Sequence, residues 1–145
     1  MTENDFQLTA PAIVFPGMHQ PESAYRVAYD LLERRAPKEA LEIIETALAD
    51  EAGDTGNTGL RCLRAWAFMM RAQLQKAEAE LRDLVEVGPD DVWARHALGR
   101  VLERQSRLEE ALPHLRLAAA MSGDIEHELA MLRVERLLMT KTDNG

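Results

Sequence analysis

Cysteine, aromatic residues and long apolar runs are all scarce in this chain, and each scarcity removes a class of protein. Cys62 is the only cysteine among 145 residues, which excludes a disulfide framework and a cysteine-based zinc site. No apolar run approaches the length of a membrane span. The first residues lack the basic start and apolar stretch of a signal peptide, so a cytoplasmic protein without a membrane partner is expected. Aromatics make up 5% of a chain that is 46% hydrophobic, which leaves an aliphatic, alanine-rich core. A net charge of −8 opposes nucleic-acid binding, where a basic footprint is needed. No strand pattern is present, so no glycine-rich loop follows one, and no serine stands in a nucleophile-elbow context. The histidines are His19, His96, His114 and His127; Glu110 and His114 lie one turn apart and could supply two metal ligands, but no third ligand is near. Such pairs are ordinarily solvated neighbours. Cys62 sits among apolar residues and reads as inert. No enzyme, metal or cofactor is expected.

What the chain does have is a helical pattern that recurs. Small residues stand twelve apart three times, at Ala28 and Ala40, Ala65 and Ala77, and Gly99 and Ala111. Three residues after each first small position come Leu31, Phe68 and Leu102. Four after each second one come Ile44, Leu81 and Leu115, and three further on Ala47, Leu84 and Ala118. Ala77 and Ala111 are 34 residues apart, and Ala40 and Ala77 are 37 apart. The extra three fall in Gly53-Asp54-Thr55-Gly56-Asn57, a loop by composition. Small residues let two antiparallel helices approach closely, and leucines fill the seam between them.

This spacing resembles the tetratricopeptide repeat, a 34-residue helix–turn–helix unit. The likeness covers about residues 21–123. It implies an all-α, right-handed superhelix of three helix–turn–helix repeats with a C-terminal capping helix, and a binding surface in place of a reaction. Three positions depart from the family pattern. Arg64 stands where a large apolar residue is usual, which predicts a slightly rotated first helix in the second unit. Gly123 replaces a closing proline, and Trp93 lies two residues before the family's first-helix tryptophan.

The expected divisions are an extended arm (1–20), three units (21–56, 57–90 and 91–123), a capping helix (124–140) and a frayed tail (141–145). In the arm, Pro11 and Pro16 bracket Ile13-Val14-Phe15, and proline favours extended backbone on both counts. Pro21 and Glu22 should open a first helix to about Arg35, and Pro37 a second to about Ala52. Asn57 or Thr58 should cap a third to about Arg71. Its partner runs from Leu74 to Val87, stopped by Gly88-Pro89. Asp90 and Asp91 suit the start of the fifth helix, Ser106 should cap the sixth, and Pro113 should bend it. Gly123 should end it and Asp124 cap the seventh. There, Ile125, Leu129, Leu132 and Met139 read as the face that covers the last repeat. Met131, Val134 and Leu138 form a second apolar row that could support self-association.

In tetratricopeptide arrays the first helix of each unit lines a concave groove. By that register the groove residues are Tyr25, Arg26, Tyr29 and Leu32, then Cys62, Leu63, Trp66, Met69 and Met70, then Trp93, His96, Arg100 and Arg104. Residues 1–56 carry 4 basic and 11 acidic side chains, against 10 and 9 in residues 57–123, so arginines edge the later units. The alternative reading of Trp66, Met69 and Met70 is buried core. The family's carboxylate clamp for heat-shock chaperones would fall on Tyr25, Tyr29, Leu63, Trp93 and Ala97, none of which supplies the charge. The groove looks more like that of small type III secretion chaperones that hold extended, proline-containing cargo. The resemblance therefore implies an adaptor or chaperone-like protein-binding module, monomeric or homodimeric, whose partner is another protein or an extended peptide. Residues 11–16 are a candidate internal ligand for the groove, or a cap on the first helix pair.

Overall fold

Helices form where the apolar period predicts them, and the turns within the three helix pairs α1–α2, α3–α4 and α5–α6 share one backbone geometry. The computed structural model describes residues 23–50 and 57–143. Among these are seven α-helices and no strand: α1 (Ala24–Glu33), α2 (Pro37–Asp50), α3 (Asn57–Met70), α4 (Leu74–Val87), α5 (Val92–Arg104), α6 (Leu108–Ser122) and α7 (Ile125–Asp143). The chain divides into two compact units, Met1–Glu80 and Leu81–Gly145, with the division inside α4. In the first unit α2 packs against both α1 and α3. In the second, α6 packs against both α5 and α7.

Each helix pair turns in the same way. Arg35, Ala72 and Ser106 take left-handed φ values of 62°, 56° and 61°. Their N–H groups donate to Leu32, Met69 and Glu103 carbonyls at 3.0, 3.0 and 2.9 Å. The next N–H groups, of Ala36, Gln73 and Arg107, reach back to Leu31, Phe68 and Leu102 at 2.8, 2.9 and 3.0 Å. This is the Schellman arrangement, which satisfies carbonyls that a helix end would otherwise orphan. The carbonyls of Ala36, Gln73 and Arg107 then accept from the small residues Ala40, Ala77 and Ala111 at 3.1, 3.0 and 3.0 Å. Ser106 is therefore the left-handed residue of its turn, not the cap of α6. Arg107 holds the cap position and makes no side-chain cap bond.

Other helix ends follow local chemistry. Ser23 caps α1 by accepting from the Arg26 N–H at 3.1 Å, so the helix starts at Ala24. Pro21, Glu22 and the whole 1–20 arm lie outside the described residues. Asp91 accepts from the Ala94 N–H at 3.0 Å and Asp124 from the Glu126 N–H at 2.9 Å. Gly123 closes α6 at φ 67°, whereas Gly88 ends α4 without a left-handed residue. Helix α6 continues through Pro113. Helix α7 passes Thr140 and runs to Asp143, with Lys141 3.2 Å from Glu109, so residues 141–143 are helix and not a frayed tail.

The seams are closed by small residues. A Cβ added at Gly99 would lie 2.5 Å from Leu115 Cδ2 and 2.6 Å from its Cγ. Ala28, Ala40, Ala65, Ala77 and Ala111 are all fully buried. Helix α7 carries the expected periodicity with its faces exchanged. Ala130 and Val134 are buried, while Ile125, Leu129 and Met139 are 66%, 55% and 67% exposed. Two apolar rows compete on this helix, and Ala130, the small residue, selects the inner one because it lets α7 approach its neighbours closely.

Gly99→Ala should lower stability by about 1–3 kcal/mol, because Leu115 is itself fully buried and has little room to yield; thermal melting reads this directly. Conversely, Ala72→Gly and Ser106→Gly should each raise stability by about 0.5–1 kcal/mol, since glycine adopts the left-handed conformation without a Cβ penalty. Ala79→Gly, in the exposed interior of α4, should lower it by about 1 kcal/mol.

Candidate functional site

The first helices of the units carry the residues expected to face a groove, and each compact unit presents its own set. In the first unit, α1 and α3 bring aromatic rings together because equivalent register positions fall side by side. Tyr25 and Cys62 stand three residues before the small positions Ala28 and Ala65, and Tyr29 and Trp66 one residue after. Tyr29 stacks on Tyr25 with ring centroids 6.1 Å apart and meets Trp66 at 6.0 Å in a tilted contact. Tyr25, Leu32, Cys62, Leu63, Trp66 and Met69 are buried, Tyr29 and Met70 are half-buried, and Arg26 is exposed beside Asp30 at 3.5 Å. The Tyr25 phenol is pushed up to about 12, first by burial and then by the neighbouring Cys62 and Tyr29.

Arg64 has a defined structural task in this unit. Its Nε and Nη2 donate to Glu80 Oε1 at 3.0 and 2.9 Å, and Nη2 also reaches Oε2 at 3.1 Å. Arg61 Nε donates to the same Oε1 at 3.2 Å, and Arg64 Nη1 lies 3.4 Å from Glu45. Glu80 is only 8% exposed, so two guanidinium groups converge on a buried carboxylate. The residue that departs from the family's apolar pattern thus ties α3 to both α2 and α4. Glu80→Ala should cost roughly 3 kcal/mol, because the guanidinium groups are left without their carboxylate. Replacing Arg64 and Glu80 together by leucine should cost much less, and chemical denaturation of the two variants checks the difference.

In the second unit the corresponding face is formed by α5 and α7. Trp93, Arg100 and Arg104 are half-buried and His96 is buried, 2% exposed. His96 stacks on His127 with centroids 4.1 Å apart, and His127 Nδ1 shares a 2.7 Å hydrogen bond with Ser122 Oγ. Neither ring nitrogen of His96 has a hydrogen-bond partner among the described residues. Burial, then His127, Arg100 and Arg133, hold the His96 imidazole down to about 3, against a weaker opposing pull from Asp124. Arg133 grips Glu103 with Nε at 2.6 Å and Nη2 at 2.8 Å, and Arg100 Nε approaches the same carboxylate at 3.3 Å. Two guanidinium groups thus meet on one carboxylate.

His127, Glu103 and Arg133 are absent from the expected groove set. The missing signal is register: Ala130 follows Gly99 by 31 residues, and His127 precedes it by three, as Tyr25, Cys62 and His96 precede their own small residues. Helix α7 thus repeats the first-helix pattern. Elsewhere, Glu110 is taken by Arg107 at 2.8 Å and Arg82 at 3.4 Å, while His114 Nδ1 lies 3.5 Å from Arg95 Nη1. Among the described residues no group of three His, Cys, Asp or Glu side chains could hold a metal ion, and no helix is long and apolar enough to cross a membrane.

The arrangement is an all-α, tetratricopeptide-like succession of helix pairs. No family model and no curated protein matches the chain. Among solved structures it is similar to "MamA MSR-1 C2", a tetratricopeptide-containing protein, with a TM-score of 0.67 and 16% identity over 83% of this chain and 68% of that one. At that identity the likeness establishes the fold alone.

The depressed His96 pKa makes stability pH-dependent. Its unfolded form takes up a proton below about 6.5, whereas the folded form resists doing so until about pH 3. Folded stability contributed here is therefore complete above pH 7 and falls as pH drops through that window. Between pH 7 and 5 the loss should be about 2 kcal/mol. His96→Gln should flatten the curve over that range, which urea titrations at a series of pH values would measure.

Proposed function

We propose that this chain is a protein-interaction module, each unit of which holds an extended partner segment against its own first-helix face. The observation supporting this reading is the aromatic row Tyr25–Tyr29–Trp66 in a tetratricopeptide-like framework. Rings that share burial between core and surface present a flat apolar contact at low conformational cost, as binding hot spots do. Arg26, Tyr29, Met70 and the edge of Trp66 form the contact in the first unit. Trp93, Arg100 and Arg104 form the contact in the second, where arginine side chains suit an acidic flank on the partner. The buried residues Leu32, Cys62, Leu63, Met69 and His96 support these surfaces from below.

A proline-bracketed apolar segment suits such a surface, because proline pre-orders the extended backbone. Residues 11–16, Pro-Ala-Ile-Val-Phe-Pro, have that form and are proposed as an internal competitor; they lie outside the described residues. The test is a fluorescently labelled peptide of residues 9–18 titrated onto the chain lacking residues 1–18. Saturable binding is expected, weakened by about 2 kcal/mol in Trp66→Ala and Tyr29→Ala, with helical circular dichroism intact. Arg71→Ala, in the α3–α4 turn, should leave it unchanged. Peptide binding insensitive to both aromatic substitutions, or no binding, rejects the reading.

A further inference from the structure

The outer face of α7 is a helix-packing surface that nothing among the described residues covers. Subtracting the 31-residue offset between Ala130 and Gly99 matches Ile125, Leu129 and Leu132 to Ala94, Leu98 and Val101 of α5. Those three α5 residues are buried to 1% exposure or less. Their α7 counterparts are exposed, and Met139 continues the row. Positions 125, 129, 132, 136 and 139 alternate in steps of four and three, the spacing of a seam between two helices. Apart from Arg136 this row is apolar. The same face of the same kind of helix is thus closed in one place and open in the other.

From this we infer that α7 pairs with α7 of a second copy, antiparallel, about a two-fold axis at Leu132. A two-fold interface must complement itself, so residues equidistant from the axis face each other. Ile125 then lies opposite Met139 of the other copy, and Leu132 meets its own counterpart. Glu128 and Arg136, each four residues from Leu132, fall at the same height with opposite charge. Both are exposed, and neither forms an ion pair among the described residues. The other charged side chains alongside are already engaged: Arg133 with Glu103, Glu135 with Arg116 at 3.1 Å, and Lys141 with Glu109. A parallel pairing would set Glu128 against Glu128 and Arg136 against Arg136, which like-charge repulsion disfavours. The face expected from periodicity to self-associate, Met131, Val134 and Leu138, is turned inward: Val134 is fully buried, and Met131 and Leu138 are partly so.

The test is sedimentation equilibrium of the full-length chain over a wide concentration range. A reversible dimer is expected. Leu132→Glu sets two carboxylates on the axis and should weaken it by roughly 30-fold or more, with unchanged circular dichroism because the residue is outside the core. Glu128→Arg and Arg136→Glu should each weaken it, and the double exchange should restore it, since the opposed pair is recreated in reverse. In a Cys62→Ala background, Leu132→Cys should form an intermolecular disulfide under mild oxidation, whereas Arg71→Cys should not. A chain that stays monomeric throughout, a dimer indifferent to Leu132→Glu, or a double exchange that fails to restore association overturns the proposal. So does a monomer in which deleting residues 1–20 exposes Leu132→Cys to thiol reagents, because the arm would then be the occupant.

Discussion

The close approach of α5 and α6 at Gly99 is the contact on which the second unit depends. With Leu115 within 2.6 Å of where a Cβ would stand, the two helices share a seam that admits no side chain on one side. Close packing then propagates outward: Leu98, Val101 and Leu102 are buried around that point, and Ala111 and Ala118 continue the small-residue edge on α6. Dispersion contacts in such a seam are individually weak and collectively large, and they vanish with a small increase in separation. The first unit reaches the same result with alanine at Ala28 and Ala40, and adds the Arg64–Glu80 pair, whose fork geometry admits one register of α4 against α3.

Much of this fold is legible in the sequence, and the reason lies in locality. The small residues twelve apart, the leucines between them, and the caps at Asp91, Gly123 and Asp124 act over one or two helical turns, so pattern alone finds them. The turns are a different matter. Arg35, Ala72 and Ser106 carry none of the glycine signature of a left-handed residue; each is held there by its own N–H and the next one donating to carbonyls at the end of the preceding helix. Their conformation is a property of the helix pair and not of the residue. The faces of α7 were hidden for a similar reason. Periodicity reveals two apolar rows, and only the position of Ala130 relative to the other small residues says which one turns inward.

The candidate site was legible in part. Register identified the aromatic row of the first unit, and Tyr29 and Trp66 meet there as equivalent positions should. It did not foresee that His96 would lie beneath His127, or that Arg100 would share Glu103 with Arg133, because all of these contacts depend on α7 acting as one more first helix. A resemblance drawn over residues 21–123 stops one helix short of the element that completes the second unit's face.

That role of α7 has a consequence for design. A helix in first position carries an outward apolar row at Ile125, Leu129 and Leu132, while its small residue Ala130 is already packed inward. Repeat arrays are close to one-dimensional, with stability accumulating from each unit and its neighbours. A consensus helix grafted beyond α7, with its own alanine twelve positions after Ala130 and a leucine four further on, would meet that row in the register used three times upstream. Extension by a whole unit and pairing with a second copy would therefore compete for the same apolar row of α7.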